Sequence, residues 1–420
     1  MRPTIGIAAA EAWLDALARR PERPGPYGLE LMTELLERLD RPQDRFAAIQ
    51  VAGSRGKGST CSLLSAALHA GDRHVGLTTS PHLVDVTERL RLNERDVDAE
   101  RLLGWVGEIG AVRDELEPSY FELLMAVAFH AFAEEQVDVG VIEVGLGGRL
   151  DASTTCQPIV SVITRIGLEH RDRLGPDLTS IAGEKAGIIR PGVPVVLGPN
   201  EPEVEDVVRA RADELSAPLR IVTTEEVEAA PATSLSGPAQ AENAAVAAAV
   251  LDELARVRPE LGITSDQRDA GFAAVRCPGR LQLLSPRPDA TRLGARELLV
   301  DVSHDPTGIA NLRRHVESLD RAVAPVFACL ADKELAAIAT ELAQGPRLSH
   351  ATFHVPELGG PRTQPAADIV QTLTAAGLTA QPHPDLVTAL TTAADQDALV
   401  VAFGSFRVAG EAIRLHADTP

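Results

Sequence analysis

The sequence predicts an α/β protein of two domains, and three observations carry that prediction. Strand-like and helix-like runs alternate along most of the chain, the pattern of parallel sheets with helices on both faces. The strands are close to continuously apolar, as in Val139-Gly140-Val141-Ile142, and such runs belong to sheets buried on both sides. The alternation comes in two series. Between them lies a Pro- and Arg-rich segment, from Cys277-Pro278-Gly279-Arg280 to Ser285-Pro286-Arg287-Pro288. A length of 420 residues agrees with that count.

In the first series, strands are expected at Ala47–Val51, His74–Thr79, Asp138–Val144, Ile159–Ile163, Val193–Leu197 and Leu219–Val222. Helical patterns such as Phe121–Glu135 lie between them. The second series has strands at Glu297–Val302, Pro325–Leu330, Ala351–Val355 and Ala398–Phe403, with helices such as Ile309–Leu319 and Ala366–Ala376. The domains are placed at 1–282 and 283–420. The Ala/Thr/Ser/Pro-rich stretch from Glu225 to Ala239 reads as an irregular excursion of the first domain.

Composition narrows the partners. A formal charge of -20 gives no general attraction for nucleic acid or anionic lipid. Aromatic residues make up only 3%, too few for base-stacking platforms. Cys61, Cys156, Cys277 and Cys329 are widely spaced with no C-x-x-C pair, which suits reduced thiols. No secretory signal or bilayer-length apolar run is visible. The expectation is a cytoplasmic protein with no nucleic-acid and no membrane partner. Anionic ligands must then be held by local groups.

The strongest local feature is Val51-Ala52-Gly53-Ser54-Arg55-Gly56-Lys57-Gly58-Ser59-Thr60, between a strand-like run and a helix-like one. A glycine-rich turn there aims backbone N–H groups and the helix dipole at one spot. Lys57 adds a full charge, and Ser59 a hydroxyl for phosphate or metal. The spacing is not that of the standard P-loop, because only two residues separate Gly53 from Gly56, and Gly58 stands between lysine and serine. A flexible loop with a stray lysine is the alternative.

Further polar segments follow strands, where doubly wound folds bind ligands. Ser80-Pro81-His82-Leu83 follows the second strand and leads into Glu88-Arg89; alone it reads as an ordinary turn. Glu143 lies within an apolar strand, before Gly145-Leu146-Gly147-Gly148-Arg149. A buried carboxylate needs a partner, either an oxygen-seeking ion such as Mg²⁺ or the nearby Arg149. His170, in Ile166-Gly167-Leu168-Glu169-His170, is a metal ligand or a plain loop histidine. Lys185 sits in a small-residue, apolar helix expected to run to Pro191-Gly192. In the second series, Asp301-Val302-Ser303-His304-Asp305-Pro306 is again a strand, a polar tip and a helix start.

Together these segments, with Tyr120-Phe121-Glu122, Glu184-Lys185-Ala186-Gly187, Pro278-Gly279-Arg280-Leu281 and Gly404-Ser405, resemble the folylpolyglutamate synthase and dihydrofolate synthase family of the Mur ligase superfamily. The resemblance runs from about Leu14 to Arg414. It implies a P-loop-type mononucleotide-binding domain followed by a smaller Rossmann-like one. It also implies an ATP-dependent ligase. ATP phosphorylates a carboxylate, and the amino group of an amino acid, typically glutamate, displaces phosphate to form an amide.

By motif match, the loop Gly53–Thr60 with Lys57 and Ser59 would hold the triphosphate. Ser80 and Glu143 would ligate a first magnesium ion, and His170 a second. Lys185 would be carbamylated and organise that metal. Asn243, Arg280 and Asp301 match nucleotide contacts, and His304 a residue near the transferring phosphate. The implied partners are small-molecule carboxylate and amino-acid substrates, bound by a monomer. Arg55 and Asp305 replace neutral amides of the family pattern. With His82 and Ser405 they are candidates for substrate choice. Neutral drift, a paralogue acting on a non-folate carboxylate, and a nucleotide-binding relative without ligation stay open.

Overall fold

The computed structural model describes residues 6–20, 28–112, 116–287, 292–360 and 362–418. Pro288, the end of the Pro/Arg-rich segment, lies outside them. The chain forms two units, each around one sheet. The first comprises the chain up to His82, Val86–Ser234 and Gln240–Val275. The second comprises Leu83–Asp85, Leu235–Ala239 and the chain from Arg276 onward.

The first unit holds eight strands. They are β1 (Ala47–Ala52), β2 (Val75–Thr78), β3 (Leu90–Leu92), β4 (Arg95–Asp96), β5 (Val139–Glu143), β6 (Pro158–Ile163), β7 (Val195–Leu197) and β8 (Leu219–Ile221). The sheet order is β4-β3-β2-β5-β1-β6-β7-β8. From β2 to β8 all neighbours are parallel, and the apolar runs of β2, β5, β1, β6 and β7 are buried as expected, whereas the edge strand β8 is half-buried. β1 sits between β5 and β6. Strand order therefore reverses at β1, the position at which doubly wound sheets bind ligands beyond the carboxyl ends of their strands.

The purely parallel expectation needs one correction in this sheet. β3 runs antiparallel to β2, and β4 to β3. Asn93 and Glu94 join β3 and β4 with φ of 50° and 64°, the left-handed pair that closes a tight hairpin. Such short strands leave no periodic trace. Tyr120-Phe121-Glu122 opens the helix Tyr120–Glu134 through a capping box. The Ser119 hydroxyl accepts from the Glu122 N–H at 3.2 Å, and the Glu122 carboxylate accepts from the Ser119 N–H at 2.7 Å.

The second unit holds β9 (Gln282–Leu284), β10 (Leu298–Val300), β11 (Val323–Phe327), β12 (Thr352–Pro356), β13 (Thr379–His383) and β14 (Leu399–Phe403). Their order is β13-β12-β11-β14-β10-β9, parallel except for β9. The expected boundary at 282/283 falls inside β9, which pairs antiparallel with β10, and the contact boundary precedes it at Val275/Arg276. Part of the Glu225–Ala239 excursion, Leu235–Ala239, belongs to this second unit, with Gly237 packed against Leu281. No helix among the described residues is long and apolar enough to cross a membrane.

Candidate active site

The glycine-rich loop leaves the carboxyl end of β1 and enters the helix Lys57–Ala70. Two of its glycines are sterically required. Gly53 has φ of +147°, and a Cβ there would meet the Thr164 hydroxyl at 1.9 Å. Gly56 has φ of +88°, and its Cβ would meet Asn243 Oδ1 at 2.2 Å. Any side chain at either position would be strained and would collide. Asn243, on the helix Ala239–Val257, is buried and donates to Gln240 Oε1 at 2.9 Å. Ser59 and Thr60 are buried in the first turn of the Lys57 helix.

Two ammonium groups converge on one carbonyl oxygen of this loop. Lys57 Nζ donates to the Gly53 carbonyl at 2.9 Å, and Lys185 Nζ donates to the same oxygen at 2.8 Å. Lys185 is 2% exposed and also pairs with Glu169 Oε1 at 2.8 Å. Burial, reinforced by Lys57 and opposed by Glu169, lowers the Lys185 pKa to about 8. Burial would raise Glu169, yet Lys185 and Lys57 outweigh it and hold that carboxyl at about 2. The Lys185 helix spans Leu178–Ala186 and stops at Gly187, short of the expected Pro191-Gly192. Sequence reasoning assigned Glu169 no role. The signal was the lysine itself, since a charged amine in an apolar helix demands a counter-ion.

Glu143 ends β5 and is 5% exposed. Its Oε2 accepts the Ser80 N–H at 2.9 Å, and a Cβ placed on Gly58 would lie 3.7 Å from the same oxygen. Arg149 does not serve it, because that guanidinium pairs with Glu184 at 2.8 Å. Beside Glu143 is a small cavity lined by Ser80, Thr78, Thr79, Arg89 and Phe121. Arg89 donates to His82 Nδ1 at 2.9 Å and lies over the Tyr120 ring. A buried carboxylate, a neighbouring serine and the glycine-lined start of a helix form an oxygen-rich set that fits magnesium. His170 is exposed and left-handed, with φ of 46°, at the start of a four-residue helix.

Among the described residues, three metal-ligating groups of the His, Cys, Asp and Glu types converge elsewhere in this unit, at Glu108, His130 and Glu134. Those side chains already serve one another and Trp105.

In the second unit, Asp301 follows β10 and is buried. Its carboxylate accepts the Leu281 N–H and the Ser303 N–H, each at 2.8 Å. Burial raises its pKa against these bonds and Arg280. Arg280 lies over the Phe406 ring, and His304 Nδ1 is 2.9 Å from the Val302 carbonyl. Asp305 caps the helix Pro306–Ser318, its Oδ1 accepting from the Thr307 and Gly308 N–H groups at 3.0 and 3.2 Å. Ser405 is buried, and its hydroxyl accepts the Val408 N–H at 3.1 Å. The first unit thus gathers Lys57, Lys185, Asn243, Ser80 and Glu143 at the carboxyl end of its sheet.

No protein-family model matches the chain. Curated proteins and solved structures do. The dihydrofolate synthase/folylpolyglutamate synthase of Bacillus subtilis (strain 168) is 30% identical over 393 residues, covering 86% of this chain and 87% of its own. Mycobacterium tuberculosis folylpolyglutamate synthase complexed with ADP has a TM-score of 0.85 at 27% identity, covering 99% of both chains. A bifunctional folylpolyglutamate synthase/dihydrofolate synthase with Mn, AMPPNP and L-glutamate bound has a TM-score of 0.80 at 31% identity, covering 96% of this chain and 97% of its own.

Proposed function

We infer what this chain does from one premise: it belongs to the dihydrofolate synthase/folylpolyglutamate synthase family. It is an ATP-dependent carboxylate–amine ligase. The observation that carries the reading is the Lys57 ammonium on the Gly53 carbonyl of a glycine loop at the strand-order reversal, with the buried Lys185 beside it. Phosphoryl transfer needs positioned positive charge more than covalent chemistry.

A carboxylate oxygen attacks the γ-phosphorus, and ADP leaves. The amine nitrogen then attacks the acyl carbon, the C–O bond to phosphate breaks, and the amine's proton passes to solvent. Lys57 exchanges the Gly53 carbonyl for the phosphoryl oxygens. Loop N–H groups and the helix N-terminus hold the remaining charge. Ser80 and Glu143 would hold magnesium, whose part is to neutralise and orient the triphosphate.

The carboxylate is assigned to the folate or dihydropteroate class and the amine to L-glutamate. A second ion at His170 and a carbamate on Lys185 belong to the same proposal. The buried setting and lowered pKa of Lys185 support the carbamate, because the neutral amine is the form that reacts with carbon dioxide. Nucleotide contacts by Arg280 and Asp301, the role of His304 near the phosphate, a cytoplasmic location and a monomeric state are carried by resemblance.

The test is ADP release with MgATP, L-glutamate and dihydropteroate or a reduced folate, with mass detection of the amide. Product mass equal to the donor plus one glutamate is expected. Turnover only with an unrelated carboxylate would replace the substrate assignment. MgADP binding without ligation of any panel member would reduce the chain to a nucleotide-binding relative.

A further inference from the structure

The glycine loop does not stand alone; it lies on the loop that follows β6. The Ser54 and Arg55 N–H groups both donate to the Arg165 carbonyl, at 2.9 and 3.1 Å. The Ser54 hydroxyl donates to the Gly167 carbonyl at 3.0 Å, and the Thr164 hydroxyl to the Ala52 carbonyl at 3.2 Å. Whatever fixes residues 164–167 therefore fixes the backbone of the glycine loop. One fastener is Asn200, whose Oδ1 accepts the Ile166 N–H at 2.7 Å and whose Nδ2 donates to the Thr164 carbonyl at 3.2 Å.

The other fastener is the Arg165 side chain. Its guanidinium reaches Glu242 in a forked geometry, with Nη2 to Oε2 at 2.7 Å and Nε to Oε1 and Oε2 at 3.0 and 3.1 Å. Glu242 directly precedes Asn243, whose Oδ1 a Cβ on Gly56 would meet at 2.2 Å. One residue thus carries a carbonyl that accepts two N–H groups of the loop and a guanidinium tied to the helix that bears Asn243. Planar, two-point pairing restricts orientation in a way a point charge does not.

We propose that Arg165 and Glu242 are positioning residues for nucleotide binding: their ion pair locks the β6 loop to the Asn243 helix and so pre-shapes the Gly53–Gly56 cradle. Neither side chain touches the phosphates. Their contribution is to hold Ser54 and Arg55 N–H groups in one arrangement before nucleotide arrives, so that less ordering remains to be done on binding. The proposal rests on the reading of Gly53–Lys57 as the phosphate loop.

The experiment is a double-mutant cycle on the full chain with Arg165→Met, Glu242→Gln and the pair together. MgADP Kd is read by calorimetry, ATP KM and kcat by ADP release, and Tm by thermal melting. Each single change is expected to weaken MgADP and raise ATP KM about fivefold, with kcat within about twofold, as for the loss of uniform binding. The double variant should be no worse than either single one, and Arg165→Lys should fall between Met and wild type. Unchanged Kd and KM in variants that lose only Tm would overturn the proposal. So would effects that simply add. Lys57→Ala separates the two readings: if it leaves MgADP affinity intact, the phosphate-loop assignment fails, whatever the cycle gives.

Discussion

Two strand tips in this chain look alike in sequence and differ in what their polar groups do. At the tip of β1, Gly53 to Lys57 gathers cations that share acceptors, with Lys57 and Lys185 both on the Gly53 carbonyl. At the tip of β10, Asp301 to Asp305 is internally satisfied. Asp301 takes two backbone N–H groups, and Asp305 caps a helix. A crowded carbonyl with two donors is a resting arrangement that an anion can replace at little cost. A carboxylate that holds two buried N–H groups cannot be released without stranding them. On the proposed function the first tip exchanges its carbonyl for a ligand, and the second serves as scaffold beside His304.

That contrast can be broken most decisively at the cations. Lys57→Ala should lower turnover by about a thousandfold or more, the scale expected when a positioned charge is removed from a phosphoryl-transfer site. Lys185→Ala should lose most activity too, with partial recovery on addition of a short carboxylate. A Lys185→Ala enzyme with wild-type turnover would mean that this ammonium only balances Glu169.

A smaller effect is expected at the loop backbone. Gly56→Ala adds a Cβ 2.2 Å from Asn243 Oδ1 at a φ of +88°. It should cost about 1–3 kcal/mol in chemical denaturation and weaken nucleotide binding in step. A stable, fully active Gly56→Ala would show that the loop rearranges around nucleotide rather than receiving it preformed.

The smallest effect belongs to the second tip. Asparagine caps a helix as well as aspartate does, so Asp305→Asn should change stability by less than about 0.5 kcal/mol and turnover by less than about twofold. The cap supplies a structural reason for the aspartate, beside a role in substrate choice. A large gain of folate ligation in Asp305→Asn, alone or with Arg55→Asn, would restore the specificity role.

Much of this protein was determined by the sequence alone, because the relevant physics is local. Apolar runs such as Val139–Ile142 report a strand buried on both faces, and the strands of the first parallel sheet fall within two residues of expectation at each end. The Gly-rich turn after β1 reports a backbone that side chains would obstruct. Glu143 and Lys185 announced themselves as charges in apolar surroundings that must be answered.

What answers them was decided by tertiary structure. Lys185 is met by Glu169 and by a carbonyl 132 positions away, and Arg165 by Glu242, 77 positions on. The short or exposed edge strands β3, β4, β9 and β13 were missed for the same reason. Periodicity records which face of an element leaves water. It carries no record of which distant polar group will meet it, since that is set by how the sheet orders its strands.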